Sequence, residues 1–296
     1  YVAYLFAHNN NDGEFGPDAD QDIIKCGSYV GAGSSIVSVN LGFEPQWVLI
    51  KKSQAYVSGN QSYQSWAIQD SMRGFTSGPY ASSSGYNNIL WANGTVAEGK
   101  RGNLSGSANS GVQWHPTTTG FDVPGDNKSE CNENNFTYIY MAIRRGPLAA
   151  PTDATKVFKV DQGHASNVPN FESGFPVDFG LLRQTSNDSF KASARLTSGK
   201  YLETSSTAAE SSNSNYSFDY QDGWVGSAFG TSYYSWMWKR APSYFDVCCY
   251  SGTGSARTVS HNLGVVPEMM WVKSRGRSED WNVYHSATGN QAYIKL

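Results

Sequence analysis

Four short blocks of this sequence recur in one order, and that repetition restricts the chain to architectures made by copying a module. The first block reads Tyr1-Val-Ala-Tyr-Leu-Phe-Ala-His8, Tyr138-Ile-Tyr-Met-Ala-Ile-Arg-Arg145 and Tyr233-Tyr-Ser-Trp-Met-Trp-Lys-Arg240. The second reads Gly42-Phe-Glu-Pro-Gln-Trp-Val-Leu-Ile-Lys51, Gly174-Phe-Pro-Val-Asp-Phe-Gly-Leu-Leu-Arg183 and Gly264-Val-Val-Pro-Glu-Met-Met-Trp-Val-Lys273. The third is Ser65-Trp-Ala-Ile-Gln-Asp70, Ser189-Phe-Lys-Ala-Ser-Ala194 and Asp280-Trp-Asn-Val-Tyr-His285, and a fourth pairs the stretch Leu90 to Glu98 with Leu202 to Glu210. All align without gaps. The blocks predict residues 1–14 as the closing strand of a preceding unit, 15–147 as unit one and 148–242 as a shorter unit two. Residues 243–296 are then the start of a third unit that stops just after its third block. On this reading the chain begins and ends inside repeats, as a segment of a longer polypeptide or with disordered neighbours.

Within a unit the pattern is all β. Trp47-Val-Leu-Ile-Lys51 is a short apolar run ending on a charge, as in a buried strand. Ser34 to Leu41 alternates, offering Ile36 or Val37, then Val39 and Leu41, to one face. Gly31-Ala-Gly33, Asp12-Gly13, Asn93-Gly94 and Gly252-Thr-Gly254 supply turn chemistry. No window carries a clean helical period. Charged residues are only 16% while aromatics reach 14%, which suits many short strands joined by polar turns. The expected fold is tandem β-sandwich units, lectin-like or jelly-roll-like. Recurring Trp47, Phe179 and Met270, with Trp66, Phe190 and Trp281, are expected in the shared hydrophobic core.

The residue chemistry excludes more than it offers. A net charge of −3 with no basic stripe argues against nucleic acid, and no stretch approaches the roughly 18 apolar residues of a membrane-inserted helix. Four cysteines (Cys26, Cys131, Cys248, Cys249) form no CxxC and read as small apolar residues or thiols without a redox role. Asp70 and Glu98 are a candidate acid and base pair for polysaccharide cleavage, but Glu98 is repeated as Glu210 while Asp70 meets Ala194, which favours a structural glutamate. No nucleophile elbow, HExxH, P-loop or dinucleotide fingerprint is present. Asp18, Asp20 and Asp22 read by default as a solvated acidic loop, and their spacing, like that of calcium donors, makes calcium the alternative.

Unit one is longer because of insertions at Tyr56 to Gln64, at Gly74 to Gly85 and after Glu98, all rich in Tyr, Ser, Gly and Asn. That composition makes adaptable recognition surfaces. Tyr80, Tyr86 and Trp91 are therefore candidate stacking platforms for a glycan, with Asn87, Asn88 and Asn93 as hydrogen-bonding partners. Trp91, lying in a repeated block, also reads as core.

The blocks carry a resemblance. Gly27-Ser-Tyr-Val-Gly-Ala-Gly33, Leu41 to Lys51, Trp66 to Asp70, Tyr138 to Arg145, and Thr258-Val-Ser-His-Asn-Leu-Gly-Val-Val-Pro267 with Trp271-Val-Lys273 resemble a β-rich domain of virion structural and tail-fibre-like proteins of tailed phages, notably those of cyanobacteria. Phe175-Pro-Val-Asp-Phe179 departs from its usual Phe-x-Pro-x-Trp. The resemblance implies a non-enzymatic appendage protein at the virion surface, assembled with copies of itself (a trimer by analogy) and with other virion proteins, and binding host-surface glycans. A capsid decoration or fibrous architectural protein without a ligand is the alternative, and a polysaccharide depolymerase the second.

Overall fold

The computed structural model describes residues 1–6, 8, 15, 21–53, 66–72, 89–92, 114–125, 131–146, 149–164, 166–186, 189–197, 199–218, 220–226, 228–289 and 294–296. Among them the fold is all β: nineteen strands in several antiparallel sheets, with single-turn 3₁₀ segments and no α-helix. The chain forms two compact bodies, one from Tyr1–Ala149 with Cys248–Ser260, the other from Ala150–Val247 with His261–Leu296.

The first body contains β1 (Ile24–Val30), β2 (Val37–Asn40), β3 (Pro45–Lys52), β4 (Ala67–Asp70), β5 (Leu90–Trp91), β6 (His115–Thr117), β7 (Gly120–Val123) and β8 (Thr137–Arg144). Its large sheet runs β1-β8-β3-β4-β5 and its small sheet β2-β7-β6. Alternation aims Val48 and Ile50 of β3 and Ala142 of β8 at Val39, Phe121 and Val123 of the small sheet, and the two sheets close on one core with Leu41 and Trp114. The face of β2 is thus Val37 and Val39, continued by Leu41, with Ile36 left exposed.

The second body contains β9 (Phe158–Gln162), β10 (Phe171–Glu172), β11 (Phe179–Gln184), β12 (Lys191–Ala194), β13 (Lys200–Glu203), β14 (Ser211–Ser212), β15 (Gly223–Trp224), β16 (Tyr233–Trp238), β17 (Met269–Val272), β18 (Asn282–His285) and β19 (Ile294–Lys295). One sheet runs β14-β13-β12-β11-β16-β9, a second is the pair β10-β15, and a third is β17-β18-β19.

The ladders repeat residue for residue. Trp47 pairs with Asp70 on one side and Ile143 on the other, and Phe179 pairs with Ala194 and Trp238. Met269 pairs with His285. In each case the sixth residue of one block faces the sixth of the next. The hydrogen bond closing this hairpin recurs three times, as Ser71 N–H to Gln46 O, Arg195 N–H to Asp178 O and Ser286 N–H to Glu268 O, each at 2.8 Å. The fourth strand follows the same rule: Ile68 faces Leu90, Ala192 faces Leu202 and Val283 faces Ile294. The third copy therefore continues past its third block, with Ile294–Lys295 as a fourth strand that is too short to betray itself in sequence.

Each copy enters its central strand through a glycine with positive φ: Gly42 at 80°, Gly174 at 78° and Gly264 at 70°. Only glycine holds this backbone without strain. In the first two copies it lets two successive amides share one carbonyl, Leu41 and Gly42 on Thr119, Ser173 and Gly174 on Asp222.

Trp47 and Phe179 do not enter the sandwich core. They are half-buried on the other face of their sheets, because the strand period of two sends Val48, Ile50 and Leu182 inward instead. Phe179 packs there with Trp238 and Phe245, at ring centroid separations of 5.4 and 5.6 Å. The register mate of these two is Met269, one residue before Met270. Of the other trio Trp281 is buried, but Trp66 is exposed.

Between copies the core exchanges volume. The first has Val48, Phe121 and Tyr140 where the second has Gly180, Trp224 and Ser235. A Cβ at Gly180 would come within 2.3 Å of the Trp224 ring, whose Nε1 donates to Ser235 Oγ at 2.9 Å. The larger ring is accommodated by removing one side chain beneath it and shortening another to serine. Gly180→Val should lower unfolding stability by about 1–3 kcal/mol through overpacking, and adding Trp224→Phe should recover most of the loss, as read by chemical denaturation. A well-tolerated Gly180→Val would contradict this packing.

Candidate functional site

The residues singled out for chemistry separate into those the described structure contains and those it does not. Tyr80, Tyr86, Asn87, Asn88, Asn93, Glu98, Asp18 and Asp20 lie outside the described residues. Trp91, on β5, is half-buried and packs against the first core, which its place in the ladder opposite Ala67 requires. Asp22 is buried. Among the described residues no group of three or more His, Cys, Asp or Glu could hold a metal ion.

The described carboxylates that drew attention perform structural work. Asp70 ends β4, 9% exposed, and its Oδ1 accepts the Met72 amide at 3.0 Å, so it turns the chain out of the strand. Glu210 takes a two-pronged ion pair from Arg275, at 2.6 Å from Nε and 3.0 Å from Nη2, while its own amide donates to the Arg275 carbonyl. Lys273 Nζ donates to the Thr207 carbonyl at 3.2 Å and Trp281 Nε1 to the Glu203 carbonyl at 2.9 Å. These contacts fasten the third-copy hairpin β17–β18 to the loop after β13. Burial pushes the Cys26 thiol up, the opposite of what a nucleophilic cysteine needs.

Two features were not read from the sequence. The first is a buried charge cluster at the foot of the second sandwich. Asp178 lies 3.5 Å from Arg195 Nε and 3.8 Å from Arg240 Nε, and Arg240 Nη1 lies 3.7 Å from Asp246. All four side chains are at most 5% exposed. Backbone groups complete the cluster: Asp178 Oδ2 accepts the Arg240 amide at 2.7 Å, and Asp246 Oδ2 accepts the Asn262 amide at 2.7 Å. Arg240 also gives Nη1 to the Val247 carbonyl and Arg195 gives Nε to Val177. The first copy has a simpler version, with Arg145 Nε 3.8 Å from a buried Glu44 carboxylate. The signal was the arginine that closes both blocks, Arg145 and Arg240. Such a cluster fixes the exit of the closing strand, with both of its carboxylates, Asp178 and Asp246, buried.

The second feature is the third-copy sheet. Every residue of β17 is exposed, from Met269 at 52% to Val272 at 39%, whereas Val48 and Ile50 at the matching part of β3 are fully buried. The apolar pattern of the central strand is present here with its side chains exposed.

Residues 163–296 match the profile of a domain of unknown function (DUF7483). The match starts one residue after β9 and takes in β10 to β19. No curated protein and no solved structure matches the chain.

The charge cluster makes a distinct demand on stability. Asp178→Ala removes the carboxylate shared by two buried guanidinium groups and should cost about 3–5 kcal/mol, measured by urea denaturation. A loss below about 1 kcal/mol, the worth of an exposed pair, would contradict the assignment.

Proposed function

We propose that the chain is a non-enzymatic structural protein of a phage virion appendage, in which a copied β-sandwich module forms the shaft and inserted loops carry host-surface glycan recognition. The observation that supports it best is the recurrence of one strand register in three copies, since architectures that extend by repetition need each copy to present the same surfaces to the next. The resemblance of the repeated blocks to virion structural and tail-fibre-like domains supplies the context. Tyr80 and Tyr86, in the Tyr/Ser/Gly/Asn insertion of the first copy, supply rigid aromatic area, and Asn87, Asn88 and Asn93 supply donors and acceptors for sugar hydroxyls.

Two measurements test this reading. Labelled antibody against the chain should decorate an appendage of the particle in electron micrographs; decoration spread over the capsid shell would overturn the location. On an array of host-envelope glycans, the Tyr80→Ala/Tyr86→Ala variant should lose about tenfold or more in affinity, the worth of a stacked ring or two. Unchanged binding would remove these tyrosines from the recognition surface.

A further inference from the structure

The closing strand of the second body is apolar on both faces. Tyr233, Ser235 and Met237 of β16 turn inward, where Met237 is fully buried in the core. Tyr234 and Trp236 therefore stand on the outer face, with Leu181 and Arg183 of β11 beside them. An antiparallel sheet with one solvated face ordinarily carries polar residues there. Here Tyr234 is 37% exposed, and Val160, opposite Trp236 on β9, is 43% exposed. Phe190, just ahead of β12, reaches Trp236 at a ring centroid separation of 5.3 Å.

The open part of this face is small. Toward the end of β16, Phe245 packs on Phe179 and Trp238. What is left spans two strand spacings by two residue steps along the strand, about 10 by 7 Å. A stable protein interface takes roughly 800 Å² from each partner, an order of magnitude more. Exposed rings on a patch of that size suit the apolar C–H face of a sugar ring or two, with a charged group to orient it.

The cation at the edge of the patch differs from its counterparts. The second block ends on a cation in every copy: Lys51, Arg183 and Lys273. Lys51 Nζ donates to the Lys52 carbonyl at 3.1 Å, and Lys273 Nζ to the carbonyls of Thr207 and Ser274 at 3.2 and 3.0 Å. Arg183 is exposed, and among the described residues its guanidinium has a ring contact, 4.9 Å from the centre of Phe190, and no ion pair or hydrogen bond. Stacking fixes the plane of the fork and leaves its N–H donors unclaimed, the arrangement that takes an oxyanion in two parallel bonds. The rings also belong to this copy alone of the two complete ones: at the places of Tyr234 and Trp236 the first copy has Ile139 and Met141.

We propose that the outer face of β16 and β11 binds an acidic polysaccharide, with a pyranose stacked on Tyr234 and Trp236 and its carboxylate or sulfate ester held by Arg183. The site uses none of the residues of the first-copy insertions, and it holds whether or not the chain belongs to a virion.

The test measures binding of the full 296-residue chain by isothermal titration calorimetry. The probes are hexasaccharides of polygalacturonate, alginate and hyaluronan, a sulfated galactan hexasaccharide, and maltohexaose as the neutral control. At least one acidic oligomer should bind about tenfold or more tighter than maltohexaose, and whether it is a uronate or the sulfated galactan identifies the anion. Arg183→Gln, a change at an exposed side chain, should abolish that preference, and Arg183→Lys should restore only part of it. Tyr234→Ala should weaken acidic and neutral oligomers alike, about fivefold, with the circular dichroism unchanged. The Tyr80→Ala/Tyr86→Ala variant should bind these probes as the wild type does, so this site and the insertion loop fail separately. Binding to none of the acidic oligomers, or unchanged preference in Arg183→Gln, would overturn the proposal. So would a fall in the mass of the ligand-free chain by light scattering in Arg183→Gln or Tyr234→Ala, which would make the face a contact between copies.

Discussion

Backbone hydrogen bonding at the strand edge is the constraint on which the rest of this structure depends. A two-stranded hairpin such as β3–β4 cannot stand alone in water. It gains a hydrophobic face and satisfied amides only when a closing strand from far along the chain pairs with its other edge. In the first body that strand is β8, drawn from about ninety residues away, and in the second it is β16. The charge clusters at Arg145–Glu44 and Arg240–Asp178 sit where that strand leaves the sheet, and fasten the connection that closes the module.

A shared register leaves the core free to vary. Val48 with Phe121 and Tyr140, or Gly180 with Trp224 and Ser235, are two solutions to filling the same space between the same strands. Trp224 keeps its indole nitrogen satisfied on Ser235, which a tyrosine there would not permit without repacking. Close packing punishes volume changes made singly and tolerates compensated ones. Copies can therefore drift in sequence while their ladders stay aligned.

Much of the fold was legible because the repeat doubled as a register alignment. Gly42, Gly174 and Gly264 opened the second block in every copy, though their role as the entry turn came only from the backbone, and Tyr138 and Tyr233 marked the closing strands. Recurrence placed Trp47 and Phe179 in the core, but a repeated aromatic does not say which face of a strand is inward. Pairing of β2 with β7 was invisible, since Val39 and Phe121 are joined across some eighty residues with no local signal. Arg240 stood out as a repeated residue, yet its partners Asp178, Arg195 and Asp246 come from separate segments that only the fold assembles. The expected glycan platform fared differently. Its tyrosines and asparagines lie outside the described residues, and Trp91 alone has a place, against the core.

Cross-strand Hα–Hα nuclear Overhauser contacts measure the repeated register directly, because non-hydrogen-bonded antiparallel pairs bring their Cα atoms to about 4.5 Å. The account requires such contacts at Leu49 with Ile68, at Leu181 with Ala192, and at Trp271 with Val283. A shift of the pairing by even one residue in any of the three, which would turn every side chain of that hairpin to the opposite face, would contradict it.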